Sequence, residues 1–436
     1  IVEFRFDISE EDVYRWKPLR VRYDKTAELK AGQKNYGNAY HVANGNWHSI
    51  HHPVTAEMLS TGKNIEEDAV DDVYYDRRDL KNHTRNLRYF HNIGVKKRLI
   101  ESVSNRGNSL IDFSVGKAGD LSKWTNAHLG FVFGIDISRD NIENKQDGAC
   151  ARYLKAHQNT RGLPYALFVN GNSALNIRSG MALFTDKGTE ITKSVFGEIP
   201  KNDLLGSAVV RQYGKANKGF DIGSCQFALH YFFENSDTLQ GFVRNVAECV
   251  KEGGYFIGTC YDGRKIFDSL KDKKRGEGNS IVINGDDKIW EVVKEYDSNT
   301  FADDETSLGY TINVYQETIN KYFREYLVNF TYFTRVMENY GFKTLTSAEA
   351  KEIGMPTGLG NFKQLYSDKY HMTPSERKIS FLNNFFIFKK IRSVDAEKVK
   401  LRATDESKTE DELDLKETEA LRNPIKKKNK RLVIND

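Results

Sequence analysis

The sequence has few cysteines and no long apolar run, and these absences exclude several classes of protein. Its four cysteines show no paired spacing, so a disulfide-stapled secreted fold is not expected. No cluster of cysteine and histidine has the spacing of metal ligands, and we predict no metal site. There is also no run of about eighteen apolar residues and no secretory signal. We therefore expect a soluble intracellular protein without a membrane span.

Charge of one sign is also lacking, with 65 lysines and arginines against 61 aspartates and glutamates. The net charge of +4 is too small to indicate nucleic-acid binding by itself. The length of 436 residues and the apolar content of 39% suffice for one large domain with appendages, or for two domains. From residue 393 onwards the sequence is highly charged with few aromatics, which predicts a disordered tail over residues 393–436.

The segment LIDFSVGKAGDLSKW, Leu110–Trp124, carries the strongest functional signal. A short apolar run leads into a glycine-rich turn, where Gly116 and Gly119 allow the backbone to approach a ligand that a Cβ would push away. A second apolar run over residues 131–135 ends in Asp136, the position where a nucleotide-binding sheet holds ribose hydroxyls. Strand, loop, helix, strand and acid in this order predict a nucleotide-binding site.

Further along the chain, apolar strands alternate with helices, a pattern typical of a doubly wound α/β sheet. An amphipathic helix has its apolar residues on one face between Leu239 and Val250, and the pair Gly253-Gly254 is predicted to end it. The other predicted elements are strands at Leu110–Val115, Phe131–Ile137, Tyr165–Val169, Phe220–Phe227, Gly254–Thr259 and Phe385–Phe388, and a helix at Asn329–Tyr340.

LIDFSVGKAGDLSKW resembles the S-adenosylmethionine loop of mRNA cap guanine-N7 methyltransferases, whose usual form is D-L-G-C-G-K-G-G-D-L-x-K-W. Three later segments are similar to motifs of that family, in the same order: FDIGSCQFALHY at 220–231, GGYFIGT at 253–259 and EYLV at 325–328. The resemblance extends from about Arg88 to Lys390. It implies a Rossmann-like class I S-adenosylmethionine-dependent methyltransferase with an antiparallel last strand, which methylates N7 of the mRNA cap guanine.

The resemblance also assigns roles to single residues. Glu325 would face the N1/N2 edge of the cap guanine, with His230 and Tyr231 as the other catalytic residues. Asn172 stands where the family usually has an aspartate that contacts the adenine amino group. The predicted cofactor-binding residues are Lys96, Asp112, Gly116, Asp120, Asp136, Asn172, Gln226 and Phe227. Lys117 and Arg152 are candidates for the cap triphosphate because an ammonium and a guanidinium both suit phosphate, and Tyr261 is expected in the wall of the cap pocket.

Guanine N7 has an exposed lone pair and is already a nucleophile, so methyl transfer to it needs no general base. The predicted mechanism is an in-line displacement that gains its rate from proximity and orientation. A carboxylate near N1 and N2 accepts both donors and stabilises the positive charge that develops on the purine. Besides Asn172, several positions depart from the family pattern: Ser114 and Ala118 replace loop glycines, Val115 replaces a cysteine, Tyr261 replaces a proline, and Asn383 replaces an aromatic residue that contacts guanine.

The N-terminal segment carries a second resemblance. WKPLRVRYDK, Trp16–Lys25, is similar to the last motif of GTP:RNA guanylyltransferases, W-x-P-x-R-x-R-x-D-K, which lies in an OB-fold lid. No K-x-D-G nucleotidyl-lysine motif stands before this segment in the sequence, and the K-Q-D-G string at Lys145–Gly148 lies within the methyltransferase-like region, so no guanylyl transfer is expected. We predict the C-terminal part of a multifunctional viral capping enzyme of the large cytoplasmic DNA virus type. Its predicted regions are the end of an OB-fold at 1–60, a linker at 61–84, the methyltransferase domain at 85–392 and the tail.

This interpretation predicts capped RNA (GpppN) as substrate, guanylyltransferase and triphosphatase domains upstream in the same polypeptide, no membrane partner, and a location in the host cytoplasm (the viral factory) or the virion. Two alternatives stay open. One is a degenerate methyltransferase fold that serves as an RNA-binding or scaffold module, a hypothesis motivated by Ser114 and Asn383. Detection of cofactor binding together with methyl transfer would eliminate it. A methyltransferase for the cap 2′-hydroxyl or for protein is disfavoured by the HY and EYLV segments, and competition by free cap analogue would separate it from the first reading.

Overall fold

The computed structural model describes residues 1–7, 9–11, 14–32, 83–317 and 321–403. The chain divides into two compact units, residues 1–70 and residues 71–436. In the first unit, β1 (Val2–Phe6) pairs antiparallel with β2 (Trp16–Val21), and α1 (Tyr23–Lys30) follows. The guanylyltransferase-like motif therefore begins on β2 and ends in α1. The OB-fold remains a prediction, and most of the predicted linker at 61–84 lies outside the described residues.

The described strands of the second unit form two sheets. Their bounds are β3 (Ser109–Asp112), β4 (Phe131–Asp136), β5 (Tyr165–Asn170), β6 (Phe220–Gln226), β7 (Val250–Tyr261), β8 (Gly278–Ile283), β9 (Asp287–Lys294), β10 (Thr311–Gln316), β11 (Lys321–Tyr326), β12 (Phe342–Thr344), β13 (Leu359–Asn361) and β14 (Asn383–Lys390).

The described helices of this unit cover both faces of the larger sheet or connect its strands. They are α2 (Arg85–Tyr89), a π-helix (Phe90–Lys97), α3 (Arg98–Val103), α4 (Leu121–Asn126), α5 (Arg139–Glu143), α6 (Ala149–Asn159), α7 (Asp186–Phe196), α8 (Ser207–Arg211), α9 (Ser236–Cys249), α10 (Gly263–Ser269), α11 (Phe330–Asn339), α12 (Ser347–Glu352) and α13 (Pro374–Ser380). Single 3₁₀ turns lie at Asp203–Leu205, Leu229–Phe233, Glu305–Ser307, Phe362–Leu365 and Asp368–Tyr370. None of these described helices is long and apolar enough to cross a membrane.

The larger sheet has the strand order β12–β14–β7–β6–β3–β4–β5, with β13 also paired to β14. Strands β3 to β7 are parallel, whereas β14 runs antiparallel to β7. This topology confirms the predicted Rossmann-like α/β fold and its antiparallel last strand. Neighbouring residues of β3 belong to different apolar clusters, Leu110 to one and Ile111 to the other. Because both faces of the sheet are covered, its central strands are continuous apolar runs.

The prediction that the pair Gly253-Gly254 ends α9 is wrong. The helix ends at Cys249, and β7 begins at the next residue. Gly253 has φ +78° and lies inside β7, where the pairing with β6 shifts register between Phe220 and Ile222. The glycines therefore accommodate an irregularity within the strand, a role that a sequence cannot distinguish from a helix stop.

The second sheet is a four-stranded antiparallel meander that the sequence analysis does not predict. Its strand order is β11–β10–β9–β8. Apolar residues on one face are buried, among them Trp290, Val292, Ile312 and Val314. The sheet matters for function because β11 carries Glu325, the residue expected to contact the cap guanine.

The ordered domain continues beyond the boundary predicted at residue 392. Residues 396–403 are helical, and Ala396 is only 4% exposed. Nη1 of the buried Arg244 lies 3.0 Å from Glu397 Oε2. The predicted disordered tail therefore begins too early at 393, since this charged stretch covers an apolar surface that the sequence pattern does not reveal. Its remainder, residues 404–436, lies outside the described residues.

Candidate functional site

The predicted cofactor residues lie at the carboxyl ends of neighbouring parallel strands. Asp112 ends β3, Asp136 ends β4 and Gln226 ends β6, and β3 pairs with both of the other strands. The strand order reverses at this point, and open α/β sheets bind ligands in the crevice outside such carboxyl ends. The topology therefore brings together predicted site residues that are far apart in the sequence.

The loop after β3 leaves space for a ligand beside its backbone. Gly116 has φ +53°, and a Cβ placed on Gly116 or on Gly119 would meet no described atom within 4 Å. Packing against the rest of the protein therefore does not require glycine at position 119. A backbone that is open on this side can approach the polar groups of a nucleoside cofactor closely.

Ala118, which replaces a family glycine, is fully buried and has φ +52°. That conformation costs an L-residue about 1–2 kcal/mol. Glycine at position 118 would relieve this strain but would make the unfolded chain more flexible. Since the two effects oppose each other, we expect Ala118→Gly to lower the free energy of unfolding by less than about 0.5 kcal/mol, or to raise it.

Ala247→Gly is the matched control for this prediction, since Ala247 is buried within α9. It should lower the free energy of unfolding by about 1 kcal/mol or more, because glycine is unfavourable in a helix. Urea unfolding of both variants checks the difference. An equal loss in the two variants would show that the loop stores no strain at Ala118.

Three donors hold Asp136 at the end of β4. The backbone N–H of Gly116 donates to Oδ2 at 2.7 Å, and the Ser138 N–H and Asn141 Nδ2 each donate to Oδ1 at 3.0 Å. Burial raises the pKa of Asp136, and these donors oppose that shift. A carboxylate has about four lone-pair positions, so one remains on Oδ2 for a ribose hydroxyl. Asp136 therefore fixes the loop and can still make its predicted contact.

Asp112 is a buried acid at the start of the same loop. It is 3% exposed, and its Oδ1 accepts the backbone N–H of Ser114 at 3.1 Å. Burial, together with the negative charge of Asp120, raises the pKa of Asp112 to about 8. Asp112 is therefore mostly neutral at pH 7, and a cation bound beside it would favour its ionised form.

This protonation state predicts a pH-dependent affinity for S-adenosylmethionine. Binding should tighten between pH 6 and pH 8, by at most about tenfold per pH unit, because the cationic cofactor favours ionised Asp112. Asp112→Asn should bind the cofactor weakly and lose most of this dependence. Calorimetric titration at several pH values tests both expectations. The same pH slope in both proteins would assign the dependence to another group.

Two lysines contact one buried carboxylate next to the loop. Lys96 Nζ lies 2.8 Å and Lys123 Nζ 2.7 Å from Asp120 Oδ1. Burial alone would raise the pKa of Asp120, but the two ammonium groups outweigh it and lower the pKa to about 2. Because Lys96 belongs to the π-helix, these contacts attach the loop to that helix. They also gather positive charge where a cofactor carboxylate could bind.

Lys117 does not present a free charge for the triphosphate contact predicted for it. Its side chain is 4% exposed, and Nζ lies 3.0 Å from Asp140 Oδ2 and 2.9 Å from Asp147 Oδ1. The two carboxylates come from α5 and the segment before α6, and no motif in the sequence announces them. Arg152 is partly exposed, and its Nη1 donates to the Lys117 carbonyl at 2.9 Å. Arg152 remains a candidate for the triphosphate, with Lys117 as its support.

Gln226 and Phe227 follow each other at the end of β6. Gln226 Oε1 accepts the Thr259 hydroxyl at 3.1 Å, and its Nε2 donates to Ser224 Oγ at 3.2 Å. Phe227 has φ +55°, and its ring stacks on His91 with the centroids 5.4 Å apart. Strained backbone of this kind is concentrated at functional sites. Phe227 is predicted from the sequence as a site residue, whereas His91 is not, because residue spacing gives no signal for it.

Asn172 lies just after β5, as predicted. Its backbone N–H donates to the Ala182 carbonyl at 2.8 Å, and its Oδ1 accepts the Ala174 N–H at 2.9 Å. One lone pair of Oδ1 is therefore occupied within the turn. The second lone pair can accept an adenine amino group, which is the contact that the family resemblance implies.

Glu325 and His230 form a buried polar pair. Glu325 lies on β11, and His230 lies in the 3₁₀ turn after β6. His230 Nδ1 lies 3.7 Å from Glu325 Oε2, and the two side chains are 5% and 7% exposed. Within the described part of the chain, Glu325 Oε2 and His230 Nε2 have no hydrogen-bond partner. Since an unsatisfied buried polar atom costs about 1–3 kcal/mol, the pair fits a ligand that supplies the missing partners.

Burial determines the ionisation of both members of this pair. It raises the pKa of Glu325 to about 8 and lowers the pKa of His230 to about 3. At neutral pH the imidazole is therefore neutral, and the carboxyl is mostly protonated until donors stabilise its charge. The N1 and N2 edge of guanine offers two adjacent N–H donors, which suit one carboxylate.

Tyrosine rings adjoin this pair. Tyr231 contacts His230 edge-on, with the ring centroids 4.2 Å apart. Tyr261 is 8% exposed, and its hydroxyl accepts Trp290 Nε1 and Gln316 Nε2, both at 3.1 Å. Tyr261 therefore joins the end of β7 to the second sheet. The contacts of Trp290 and Gln316 with Tyr261 are not predicted from the sequence, because the sheet that carries these two residues is not predicted.

Asn383, which stands in place of a family aromatic, lies opposite Tyr261 in the pairing of β14 with β7. It is 2% exposed, and its Nδ2 donates to the Ser380 carbonyl at 3.2 Å. Its Oδ1 has no partner among the described residues. Position 383 therefore offers a hydrogen-bond acceptor instead of a ring that could stack on guanine.

These residues fit S-adenosylmethionine as cofactor. The loop glycines leave open space, and Asp136 keeps an acceptor position for a ribose hydroxyl. Burial keeps the pKa of Asp112 raised although the charge of Lys96 lowers it, so a cationic ligand would stabilise its ionised form. Within the described ranges, no group of three His, Cys, Asp or Glu residues could hold a metal ion.

Comparison with known proteins points to the same chemistry. The sequence profile of the mRNA (guanine-N(7))-methyltransferase domain matches residues 189–407, a range that includes His230 and Glu325. The chain is 28% identical over 408 residues to the probable mRNA-capping enzyme of Acanthamoeba polyphaga mimivirus, covering 89% of this chain and 33% of that protein. The chain thus spans about a third of the length of this viral relative.

A second relative is the mRNA cap guanine-N(7) methyltransferase of Eremothecium gossypii. It is 26% identical over 360 residues, covering 77% of this chain and 74% of that protein. Among solved structures, the CcbJ methyltransferase from Streptomyces caelestis aligns with a TM-score of 0.38 and 12% identity, over 69% of this chain and 90% of that one.

Proposed function

Because this chain belongs to the family of mRNA (guanine-N(7))-methyltransferase domains, we propose that it transfers a methyl group from S-adenosylmethionine to N7 of the 5′ cap guanine of RNA. The observation that carries this proposal is the buried pair of Glu325 and His230, in which one oxygen and one nitrogen have no hydrogen-bond partner among the residues that the structure describes. Guanine presents two donors and the O6 acceptor along one edge, and this edge matches the pair.

The residues of the crevice hold the two substrates in place. S-adenosylmethionine supplies the methyl group when bound. Asp136 would accept from the ribose, ionised Asp112 would lie beside the positive charge of the cofactor, and Glu325 would accept the N1 and N2 donors of guanine. His230 donates from Nε2 to guanine O6 in the tautomer that carries its proton there.

No group of the protein has to remove a proton during the reaction. The N7 lone pair attacks the methyl carbon in line with the breaking carbon–sulfur bond, so the rate depends on the alignment of the three atoms. The guanine becomes cationic as the bond forms. Ionised Glu325 at its opposite edge then gains attraction, which stabilises the transition state more than the bound substrate.

We also propose 5′-capped RNA as the natural acceptor, and guanylyltransferase and triphosphatase domains upstream in the same polypeptide. This organisation is supported by the mimivirus mRNA-capping enzyme, because this chain matches only about a third of that protein's length. The host cytoplasm, or the virion, is the location that such a viral enzyme would have.

Product analysis tests the proposed function. The protein is incubated with S-adenosylmethionine and GpppG, and the products are separated by chromatography and identified by mass spectrometry. We expect 7-methylguanosine at the capping position. A methyl group on ribose, a methyl group on protein, or no methylated product would each overturn the proposal.

A further inference from the structure

The side chains of β11 extend the guanine site along one face of the second sheet. Successive residues of a strand point to opposite faces, so Glu325, Phe323 and Lys321 share one face at intervals of about 7 Å. Their partners on β10 are Ile312, Val314 and Gln316, respectively. The first two partners are almost fully buried, and the third holds the Tyr261 hydroxyl, so this face is directed towards the site.

The two residues beyond Glu325 differ from it in chemistry. Phe323 is half-buried, and Lys321 is exposed with its Nζ 5.6 Å from the centre of the Phe323 ring. A ligand that extends from Glu325 along the strand would therefore contact first an aromatic surface and then a positive charge. Among the described strands, β11 pairs only with β10 and lies at the edge of its sheet. A ligand can consequently extend from the buried end of this face to its exposed end.

We propose that Phe323 and Lys321 bind the RNA immediately after the cap guanine, with the first transcribed nucleotide stacked on Phe323 and a backbone phosphate beside Lys321. This inference rests on the proposed function, because it takes the position of the guanine from Glu325. Unpaired bases stack on aromatic side chains, and lysine attracts phosphate without reading sequence. The subsite therefore binds the nucleotide that follows the cap, whichever base that nucleotide carries.

The same strand provides matched controls on its opposite face. Tyr322 is 44% exposed and its hydroxyl contacts Lys288 and Glu291, while Arg324 is exposed. Phe323→Ala is compared with Tyr322→Ala, and Lys321→Ala with Arg324→Ala. Each protein is assayed for methyl transfer to GTP, to GpppG and to a short RNA that begins with GpppG. Thermal unfolding of every variant checks that the fold is retained.

We expect the KM for capped RNA to rise about tenfold in Phe323→Ala and about threefold in Lys321→Ala, in line with the loss of one stacked base and one phosphate contact. The KM for GTP should change less than about twofold, since GTP has no nucleotide beyond the guanosine triphosphate. The Lys321→Ala effect should also shrink as salt is raised. Both control variants should behave like the unmodified protein with every acceptor.

Equal effects of Phe323→Ala on GTP and on capped RNA would overturn the subsite, because they would place Phe323 in the guanine pocket itself. Unchanged KM values for all acceptors would overturn it as well. Failure of the proposed function looks different, since the unmodified protein would then methylate none of the three acceptors at guanine N7.

Discussion

Glu325→Gln is expected to lower kcat/KM for a capped acceptor by about 100-fold or more, while the affinity for S-adenosylmethionine changes less than twofold. A glutamine amide has the size of the carboxyl group but offers one acceptor oxygen and a donor that faces the guanine donors. Two charge-assisted hydrogen bonds, each worth about 1.5–3 kcal/mol, are lost or weakened. Initial-rate kinetics with GpppG and calorimetric cofactor titration measure the two quantities separately.

The pH dependence gives this variant a signature that a structural role would not produce. In the unmodified protein kcat/KM should rise with pH through about 8, because free Glu325 must ionise to accept both guanine donors. The glutamine variant should lack that rise. The pKa of folded Glu325 is raised from 4.5, so its ionisation costs stability as pH increases from 4.5 through 8. Glu325→Gln should therefore unfold at no lower a temperature than the unmodified protein at pH 8.

Unchanged turnover in Glu325→Gln would remove Glu325 from the cap site. A lower unfolding temperature together with weak cofactor binding would instead assign it a structural role. Glu317→Gln is a suitable control, since Glu317 is also buried but accepts from His83 and Thr84 within the protein. That variant should lose stability, and its pH–rate profile should keep the shape of the unmodified protein.

Asp136→Ala is expected to weaken S-adenosylmethionine binding by at least about 100-fold. The ribose loses a charged acceptor, and the loop loses the 2.7 Å hydrogen bond from the Gly116 N–H that fixes its backbone. The product S-adenosylhomocysteine should be affected to a similar degree, because it shares the ribose but lacks the sulfonium charge. Calorimetric titration with both compounds measures the effect.

Asp147→Ala provides the control for the Asp136 variant. Asp147 belongs to the same region and pairs with Lys117, but its side chain is 41% exposed. Its removal should change cofactor affinity by less than about threefold. If Asp136→Ala bound S-adenosylmethionine as tightly as the unmodified protein, the crevice at the end of β4 would not be the cofactor site.

The predictable part of the fold is the part that is buried on both faces. Short continuous apolar runs such as Phe131–Ile135, bounded by small or polar residues, favour central strands, and the acid that follows marks the carboxyl edge of the sheet. The second sheet could not be predicted in the same way. Its strands mix exposed and buried positions, as in Lys321–Tyr326, so their pattern is not a continuous apolar run. The hairpin between β8 and β9 does carry a turn signal, Asn284-Gly285, but an isolated hairpin signal does not predict a four-stranded sheet.

In the site, too, residues within a local sequence pattern can be predicted, whereas contacts between distant parts of the chain cannot. The loop glycines and Asp136 follow from spacing, and the role of Glu325 follows from resemblance. In contrast, the two carboxylates that engage Lys117 and the ring of His91 under Phe227 depend on residues that meet only after folding. Likewise, no sequence pattern reveals that Glu325 and His230 each keep one buried atom without a partner in the described part of the chain.

A cap that carries 7-deazaguanine separates binding of the guanine edge from methyl transfer to N7. This analogue keeps the N1, N2 and O6 groups that the pair of Glu325 and His230 would bind, but a C–H group replaces the N7 lone pair. We predict that 7-deaza-GpppG competes with GpppG for binding, with a similar dissociation constant, and receives no methyl group. Methylation of the analogue, or its failure to compete, would contradict the account.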